Sequence, residues 1–287
     1  MNKPIATVAR TNEILKRFDL NAKKTFGQNF IIEPRIVEKI AESSQCQDGA
    51  AIEIGPGIGA LTEQLALRAR HVTCYEIDER LKEVLAYSLE EYDNVEIIFE
   101  DFLNCDLKTK VTELKEKYGK VVIAANLPYY ITTALLFKIF EAKVPLDAIT
   151  VMMQKEVADR FTAKVSTKDY NALSIISSVY YDCVPVMKIP RTIFNPKPNV
   201  DSAVIQFRVK QNPLNIEDEQ GFFEMVKACF KQRRKTIYNN YREYLKDSDL
   251  AQEILNEAGI ELSARAETCT MDDFIRLKGV QDEHKYI

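Results

Sequence analysis

Between residues 35 and 160, short apolar runs alternate with stretches of helical periodicity. Ala50–Ile54, His71–Ile77, Val95–Phe99, Val121–Ala125 and Ala148–Met153 read as strands, and Leu61–Ala69, Leu81–Glu90 and Thr133–Phe140 as helices. Runs of this length, rich in β-branched residues and separated by ten-residue helices, predict βαβ units and a parallel sheet covered on both faces. After Lys164 the pattern changes. Ser174–Val184 and Ala203–Val209 read as longer strands flanking a rigid proline-rich loop, Pro190–Pro198. Gln211–Pro213 punctuates a boundary, and from Phe222 the periodicity is helical. An α/β domain over residues 1–210, opening with a basic arm over 1–30, is expected to precede a smaller helical domain over 211–287.

Composition bounds the function classes. The chain has 287 residues, 46% hydrophobic and 29% charged, which permits a packed core and excludes wholesale disorder. No apolar run approaches the length of a membrane span, and the first twenty residues lack a secretory pattern, so a cytoplasmic protein is expected. The six cysteines, at 46, 74, 105, 183, 229 and 269, never form paired C-x-x-C spacings. Only His71 and His284 could join them, so reduced thiols and no metal site are expected.

A net charge of −4 and a pI near 5.5 speak, taken alone, against a polyanionic partner. The charge is uneven, however. Residues 1–27 carry six basic and two acidic side chains, and residues 227–246 carry seven and one. Residues 76–118 carry thirteen acidic against six basic, and residues 247–287 ten against four. Two basic islands are what a nucleic acid would meet.

Ile52-Glu53-Ile54-Gly55-Pro56-Gly57-Ile58-Gly59 closes the first strand and opens a helix. Glycine allows a sharp turn there and lets a ligand reach backbone that a Cβ would shield. The spacing is G-x-G-x-G, not the G-x-G-x-x-G that seats a pyrophosphate, and Pro56 withholds one backbone donor. Glu76 ends the second strand, where a carboxylate can accept two hydrogen bonds from a ribose diol. Asp101, after the third strand, can accept from an adenine amino group. Three successive strand ends thus point to an adenosine-containing cofactor. They leave nicotinamide and S-adenosylmethionine both open.

Asn126-Leu127-Pro128-Tyr129-Tyr130 leaves the fourth strand at the same edge. It fits methylation of an exocyclic aromatic amine, whose lone pair is delocalised into the ring. The Asn126 side-chain oxygen and the Leu127 carbonyl can each accept an amino hydrogen, favouring a pyramidal nitrogen. Pro128 stiffens the turn that aims them. Tyr129 offers a face on which an unstacked base can rest. A sulfonium carries its own leaving-group driving force, so this chemistry requires neither a metal nor a covalent nucleophile.

These motifs, with Lys24-Thr25-Phe26-Gly27-Gln28-Asn29-Phe30, the loop Phe194–Ser202 and Arg233-Arg234-Lys235-Thr236, make the chain resemble the kasugamycin-sensitivity dimethyladenosine transferases over most of its length. The resemblance implies a Rossmann-like class I S-adenosylmethionine methyltransferase sheet with a smaller C-terminal α-helical domain. It implies N6,N6-dimethylation of two adjacent adenosines in the 3′-terminal hairpin of small-subunit (16S) rRNA during ribosome assembly. By the same resemblance Gln28, Asn29, Ile31, Gly55, Glu76, Asp101 and Asn126 would contact the cofactor, with Gly57, Ile77 and Phe102 beside them. Tyr129 and Phe194 would sandwich the target base next to the Asn126-Leu127-Pro128 turn. Lys23, Lys24, Arg191, Lys197, Lys231, Arg233, Arg234 and Lys235 would grip RNA, the last four on one basic helix. The partner would be an immature 30S subunit and not a membrane, and the enzyme a monomer. Ile31, Tyr238 and Cys269 depart from the usual family residues.

Three rivals remain at this point. One is an adenine methylase with the same core, of the erythromycin-resistance type acting on large-subunit rRNA or acting on DNA. The others are an RNA-binding assembly factor with little catalysis and a nicotinamide dehydrogenase. The last lacks both the glycine spacing and a candidate proton donor.

Overall fold

The computed structural model describes residues 3–20 and 28–284. Met1–Ala158 with Cys183–Val209 forms one compact unit, and Asp159–Asp182 with Lys210–Ile287 a second.

The first unit opens with α1 (Val8–Arg17), β1 (Phe30–Ile31) and α2 (Pro34–Ser44). The chain then runs through β2 (Ala50–Ile54), α3 (Ala60–Ala66), β3 (His71–Glu76), α4 (Lys82–Ser88), β4 (Val95–Phe99) and α5 (Leu107–Tyr118). Next come β5 (Val121–Asn126), α6 (Thr132–Glu141), β6 (Ala148–Gln154) and α7 (Lys155–Phe161), the helix at which the units divide. After α8 (Ala172–Tyr180), β7 (Tyr181–Ile189), β8 (Phe194–Asn195) and β9 (Ser202–Val209) complete the strands. The main sheet has the order β4-β3-β2-β5-β6-β9-β7. The β4–β3, β3–β2, β2–β5 and β5–β6 pairs are parallel, and β9 lies antiparallel to β6.

All five residues of β2 and the first five of β5 are buried, which is why these strands read as unbroken apolar runs. The chain lays down β2, moves outward to β3 and β4, then crosses back to β5 on the other side of β2. That reversal opens a crevice at the carboxyl ends of β2 and β5, where such sheets bind ligands.

Two expectations for the first 210 residues change. The region read as a basic arm holds a docked helix: Thr11 and Ile14 of α1 are buried, and the Ile5 N–H donates to Glu63 Oε2 at 3.0 Å. Arg10 reaches the Tyr87 hydroxyl at 3.1 Å, and the Arg17 guanidinium lies 4.1 Å from the Tyr87 ring centroid. Lys16 and Arg17 lie on the solvent side of this amphipathic helix, whereas Arg10 is largely covered. Ser174–Val184, read as a strand, instead starts as α8. The Asn171 side chain accepts the Leu173 N–H at 2.7 Å, and the Ser174 hydroxyl accepts the Asn171 N–H at 3.2 Å. This reciprocal cap starts a helix whose β-branched residues bury one face. The chain becomes extended only at Tyr181.

The second unit contains α8, α9 (Glu219–Cys229), α10 (Ile237–Leu245), α11 (Ser248–Glu257) and α12 (Met271–His284). Residues 159–182 join it because α8 packs on α9, and because the Tyr170 hydroxyl donates to the Cys269 carbonyl at 3.1 Å. Its core is Phe222, Tyr241, Phe274, Ile254 and Leu277. The basic run 231–235 is not helical: α9 ends at Cys229 and α10 begins at Ile237, with Thr236 capping the Asn239 N–H. No described helix is long and apolar enough to cross a membrane.

Candidate active site

A cleft of about 1230 Å³, open mouth included, lies over the carboxyl ends of β2, β3, β4 and β5. The residues after β2 begin it. Gly55, Gly57 and Gly59 adopt φ of +69°, +60° and +92°, the left-handed region that other residues enter only with strain. At Gly55 a Cβ would meet no protein atom within 4 Å, so the space in front of this backbone belongs to the cleft. At Gly59 it would lie 3.0 Å from Leu89, so that glycine serves helix packing instead.

Glu76 is 6% exposed and holds the turn in shape. Its Oε2 accepts the Gly57 N–H at 3.2 Å and its Oε1 the Asp78 N–H at 2.9 Å. Burial raises its pKa against the pull of those two donors. Asp101 Oδ1 accepts the Leu103 N–H at 2.9 Å, which folds the turn after β4 around the carboxylate. Ile77, 49% exposed, stands beside Glu76 as an apolar wall.

From the opposite side come Gln28, Asn29 and Ile31. Gln28 Nε2 donates to Asp78 Oδ2 at 2.8 Å, and Asp78, only 3% exposed, is clamped by Arg80 at 2.6 Å. These partners hold the Asp78 carboxyl below its usual pKa in spite of burial. Sequence reading missed Asp78 and Arg80 because they act through Gln28, fifty residues away in the chain.

The Asn126–Tyr130 turn closes the floor. Asn126 Nδ2 lies 3.5 Å from the Asn29 carbonyl, and the Leu127 N–H donates to the Met152 carbonyl at 3.0 Å. The Pro128 carbonyl accepts the Thr132 hydroxyl at 2.9 Å. The Tyr129 hydroxyl is 2.7 Å from Ser202 Oγ, so the ring is tethered, and burial raises the pKa of its phenol. Asn126, Leu127, Pro128 and Tyr129 thus share one cleft with Gln28, Asn29, Ile31, Gly55, Gly57, Glu76, Ile77, Asp101 and Phe102.

Phe194 does not share it. It is 3% exposed and pairs with Ile31 across the short β1–β8 ladder, packed into the core of the first unit. In this structure its ring is enclosed and does not line the cleft beside Tyr129. Tyr130, 57% exposed, lines the cleft in its place among the aromatics that sequence reading left unassigned.

Glu53 was also unassigned. It is 1% exposed, lines the cleft floor and lies 3.7 Å from Cys74 Sγ. Burial pushes its pKa up to about 8, the nearby Glu76 charge adding to the effect. The folded chain holds this proton more tightly than the unfolded chain, so stability falls as pH rises from the ordinary carboxylate range through about 8. Glu53→Gln mimics the protonated form at every pH. Its melting temperature should match the parent's at low pH and exceed it increasingly as pH rises. Parallel melts check this, and identical pH profiles would count against a buried proton.

Of the expected RNA contacts, Arg191 and Lys197 lie exposed on the loop before β9, with the Arg191 guanidinium on the Asn199 carbonyl at 2.9 Å. Lys231, Arg233, Arg234 and Lys235 are exposed on the α9–α10 connection of the second unit. There Lys231 pairs with Glu243 at 2.7 Å and Arg233 with Glu267 at 3.5 Å. Lys23 and Lys24 lie outside the described residues. Glu253, Glu257 and His284 also share one patch, with ligand atoms within 4.8 Å of one another, but both carboxylates are exposed and Glu257 already engages His284 at 2.9 Å.

The signature of ribosomal RNA adenine dimethylases matches residues 19–280. The chain belongs to that family. Among similar proteins, ribosomal RNA small subunit methyltransferase A of Staphylococcus epidermidis is 46% identical over 282 residues, covering 96% of this chain and 95% of its own. The protein of the same name from Bacillus pumilus is 46% identical over 286 residues, covering 98% of each. The crystal structure of 23S rRNA methyltransferase ErmE is similar at TM-score 0.66 and 27% identity, over 88% of this chain and 100% of that one. A dimethyladenosine transferase from Plasmodium falciparum shares the fold at TM-score 0.72 and 24% identity, over 90% and 98%.

An rRNA adenine dimethylase draws its methyl groups from S-adenosylmethionine, and the cleft fits that molecule. The open space at Gly55 admits it to the backbone, and the carboxylates of Glu76 and Asp101 suit ribose hydroxyls and an adenine amino group.

Proposed function

We propose that this rRNA adenine dimethylase acts on two adjacent adenosines in the 3′-terminal hairpin of small-subunit rRNA, as a cytoplasmic monomer on an immature 30S subunit. The observation that carries this reading is the convergence of the Asn126–Tyr129 turn and the Glu76 and Asp101 carboxylates on one cleft. The names of the relatives favour the small subunit as substrate. When bound, S-adenosylmethionine supplies an electrophilic methyl group on a sulfonium.

The chain's own residues then have separable tasks. Glu76, Asp101, Gln28 and the glycine turn bind and orient the cofactor. Tyr129, tethered through Ser202, presents a face to the unstacked adenine. The Asn126 side-chain oxygen and the Leu127 carbonyl accept the two N6 hydrogens, so the nitrogen lone pair leaves the ring's conjugation and points at the methyl group. Because Met152, Thr132 and Asn29 already hold this turn, the acceptors need no reorganisation when charge develops on the nitrogen. After the first transfer one hydrogen remains, so in the second transfer only one of the two acceptors is engaged and the new methyl group takes the place of the other hydrogen.

The likeness to ErmE favours a second reading, a large-subunit substrate. Tritiated-methyl transfer to under-methylated small and large subunits separates the two. Label confined to adjacent adenosines near the 3′ end of small-subunit rRNA is expected, and label in large subunits alone would overturn the substrate assignment. With the same substrate, a variant carrying Arg233→Glu, Arg234→Glu and Lys235→Glu should bind RNA more weakly. Its salt dependence should be shallower by roughly 0.7–0.9 for each phosphate left without a cationic partner. An unchanged slope would make the connection a bystander.

A further inference from the structure

The turn after β4 brings Glu100, Asp101, Phe102 and Leu103 into the cleft wall. Its internal hydrogen bonds all run inward. The Leu103 N–H donates to Asp101 Oδ1 at 2.9 Å, the Asn104 N–H to the Asp101 carbonyl at 2.8 Å, and the Cys105 N–H to the Phe102 carbonyl at 3.3 Å. Two carbonyls of the same turn meet a different partner. Lys138 Nζ donates to the Leu103 carbonyl at 2.7 Å and to the Cys105 carbonyl at 2.8 Å.

Lys138 is half-buried on α6. That helix starts directly after the Asn126–Tyr130 turn and is joined to it by the Thr132 hydroxyl on the Pro128 carbonyl. Leu135, one turn before Lys138, itself lines the cleft. One helix therefore holds the methyl-transfer turn at its first residues and the Asp101 turn at its seventh, although these two turns come from different strands. An ammonium bridging two carbonyls fixes a turn more firmly than a neutral donor would, since charge-assisted hydrogen bonds are about twice as strong. A shift of the Asp101 turn along α6 would move the adenine-reading carboxylate relative to Asn126.

We propose that Lys138 is a positioning residue that sets cofactor specificity: it locks the Asp101 turn to α6 and so keeps the adenine amino acceptor in register with the methyl-transfer turn. This rests on the cleft being the S-adenosylmethionine site. Lys138 touches neither cofactor nor substrate and acts only through the turn it holds.

The test compares the affinities of the intact enzyme for S-adenosylhomocysteine and S-inosylhomocysteine, in which an oxygen replaces the adenine amino group. Lys138→Met keeps the apolar stem and removes the donors. It should lose about tenfold in affinity for S-adenosylhomocysteine, the size of one charged hydrogen bond, and much less for the inosyl analogue. The preference between the two ligands therefore collapses. KM for S-adenosylmethionine should rise by a similar factor, while kcat at saturating cofactor and RNA affinity stay at the parent values. Lys138→Arg, which can still bridge carbonyls, should restore most of the preference. Should the methionine variant not fold, Lys138→Gln keeps neutral amide donors but loses the charge, and should show the same loss at smaller size.

A parent-level preference in the variants, or an equal loss for both ligands, overturns the proposal. Asp101→Ala, which removes the acceptor altogether, separates that failure from failure of the underlying reading. If Asp101→Ala leaves the preference intact, adenine is not read at Asp101. If Asp101→Ala abolishes it and Lys138→Met does not, the reading stands and the strut does not.

Discussion

Asn126→Ala should reduce methyl transfer at saturating substrates by at least about a hundredfold, the usual loss when one preorganised hydrogen-bonding group is removed from a reacting centre. The dissociation constant for RNA should stay within about twofold, and that for S-adenosylhomocysteine should change far less than turnover, because nine other residues are assigned to the cofactor. The confinement of the effect to kcat follows from the way the turn is held. Its main chain is fixed by the Leu127 N–H on the Met152 carbonyl and the Pro128 carbonyl on Thr132, neither of which uses the Asn126 side chain. Truncation therefore removes one acceptor and leaves the Leu127 carbonyl in place. Single-turnover transfer measured beside equilibrium binding checks the split. Near-parental turnover would remove Asn126 from the chemistry, and a parallel loss of RNA affinity would make it a binding residue.

Glu76→Ala should produce the opposite split. The carboxylate is 6% exposed and accepts both the Gly57 and Asp78 N–H groups, so its loss unpins the glycine turn and deletes the acceptor for a ribose diol. Two charged hydrogen bonds at roughly 1.5–3 kcal/mol each place the loss of cofactor affinity at about a hundredfold or more. Calorimetric titration with S-adenosylhomocysteine measures it, and RNA binding should be unaltered. Glu76→Gln should fall between the two, since an amide keeps one oxygen acceptor. Retained affinity in the alanine variant would mean that the ribose lies elsewhere in the cleft.

The strand ends of the site were legible because a parallel sheet leaves little choice. Gly55, Glu76, Asp101 and Asn126 each follow an apolar run, and parallel pairing carries all four to the same edge. Gln28, Asn29 and Ile31 also line the cleft, but they come from β1 and the residues before it, outside the parallel sheet, and no strand-end rule places them there. Local pattern failed where tertiary context decided the outcome. Ile175, Ile176 and Val179 have strand propensity, yet the Asn171–Ser174 cap starts a helix and packing against α9 keeps it. The 231–235 run keeps helical spacing on paper, but Thr236 caps α10 and interrupts it. Phe194 sits in a proline-rich loop whose sequence gives no sign of burial, and only the tertiary structure shows that its ring is enclosed.

The amino-acid sequence alone determined β2 to β6 with α3, α4 and α6 in their order, but not α1, α2 or α5, and it marked the candidate adenosine-binding set and amine-methylating turn at the strand ends. Each of these depends on short-range periodicity or on the end of a strand. The tertiary structure decided which groups hold that set in place. Asp78 and Arg80 orient Gln28, Ser202 tethers Tyr129, and Lys138 bridges the Leu103 and Cys105 carbonyls. It also decided that residues 159–182 belong with the helices after 210 and that Glu53 lies buried beneath the cleft. These are hydrogen bonds and burials between segments mostly tens of residues apart, and no periodicity in the chain records which distant partner a polar side chain will meet.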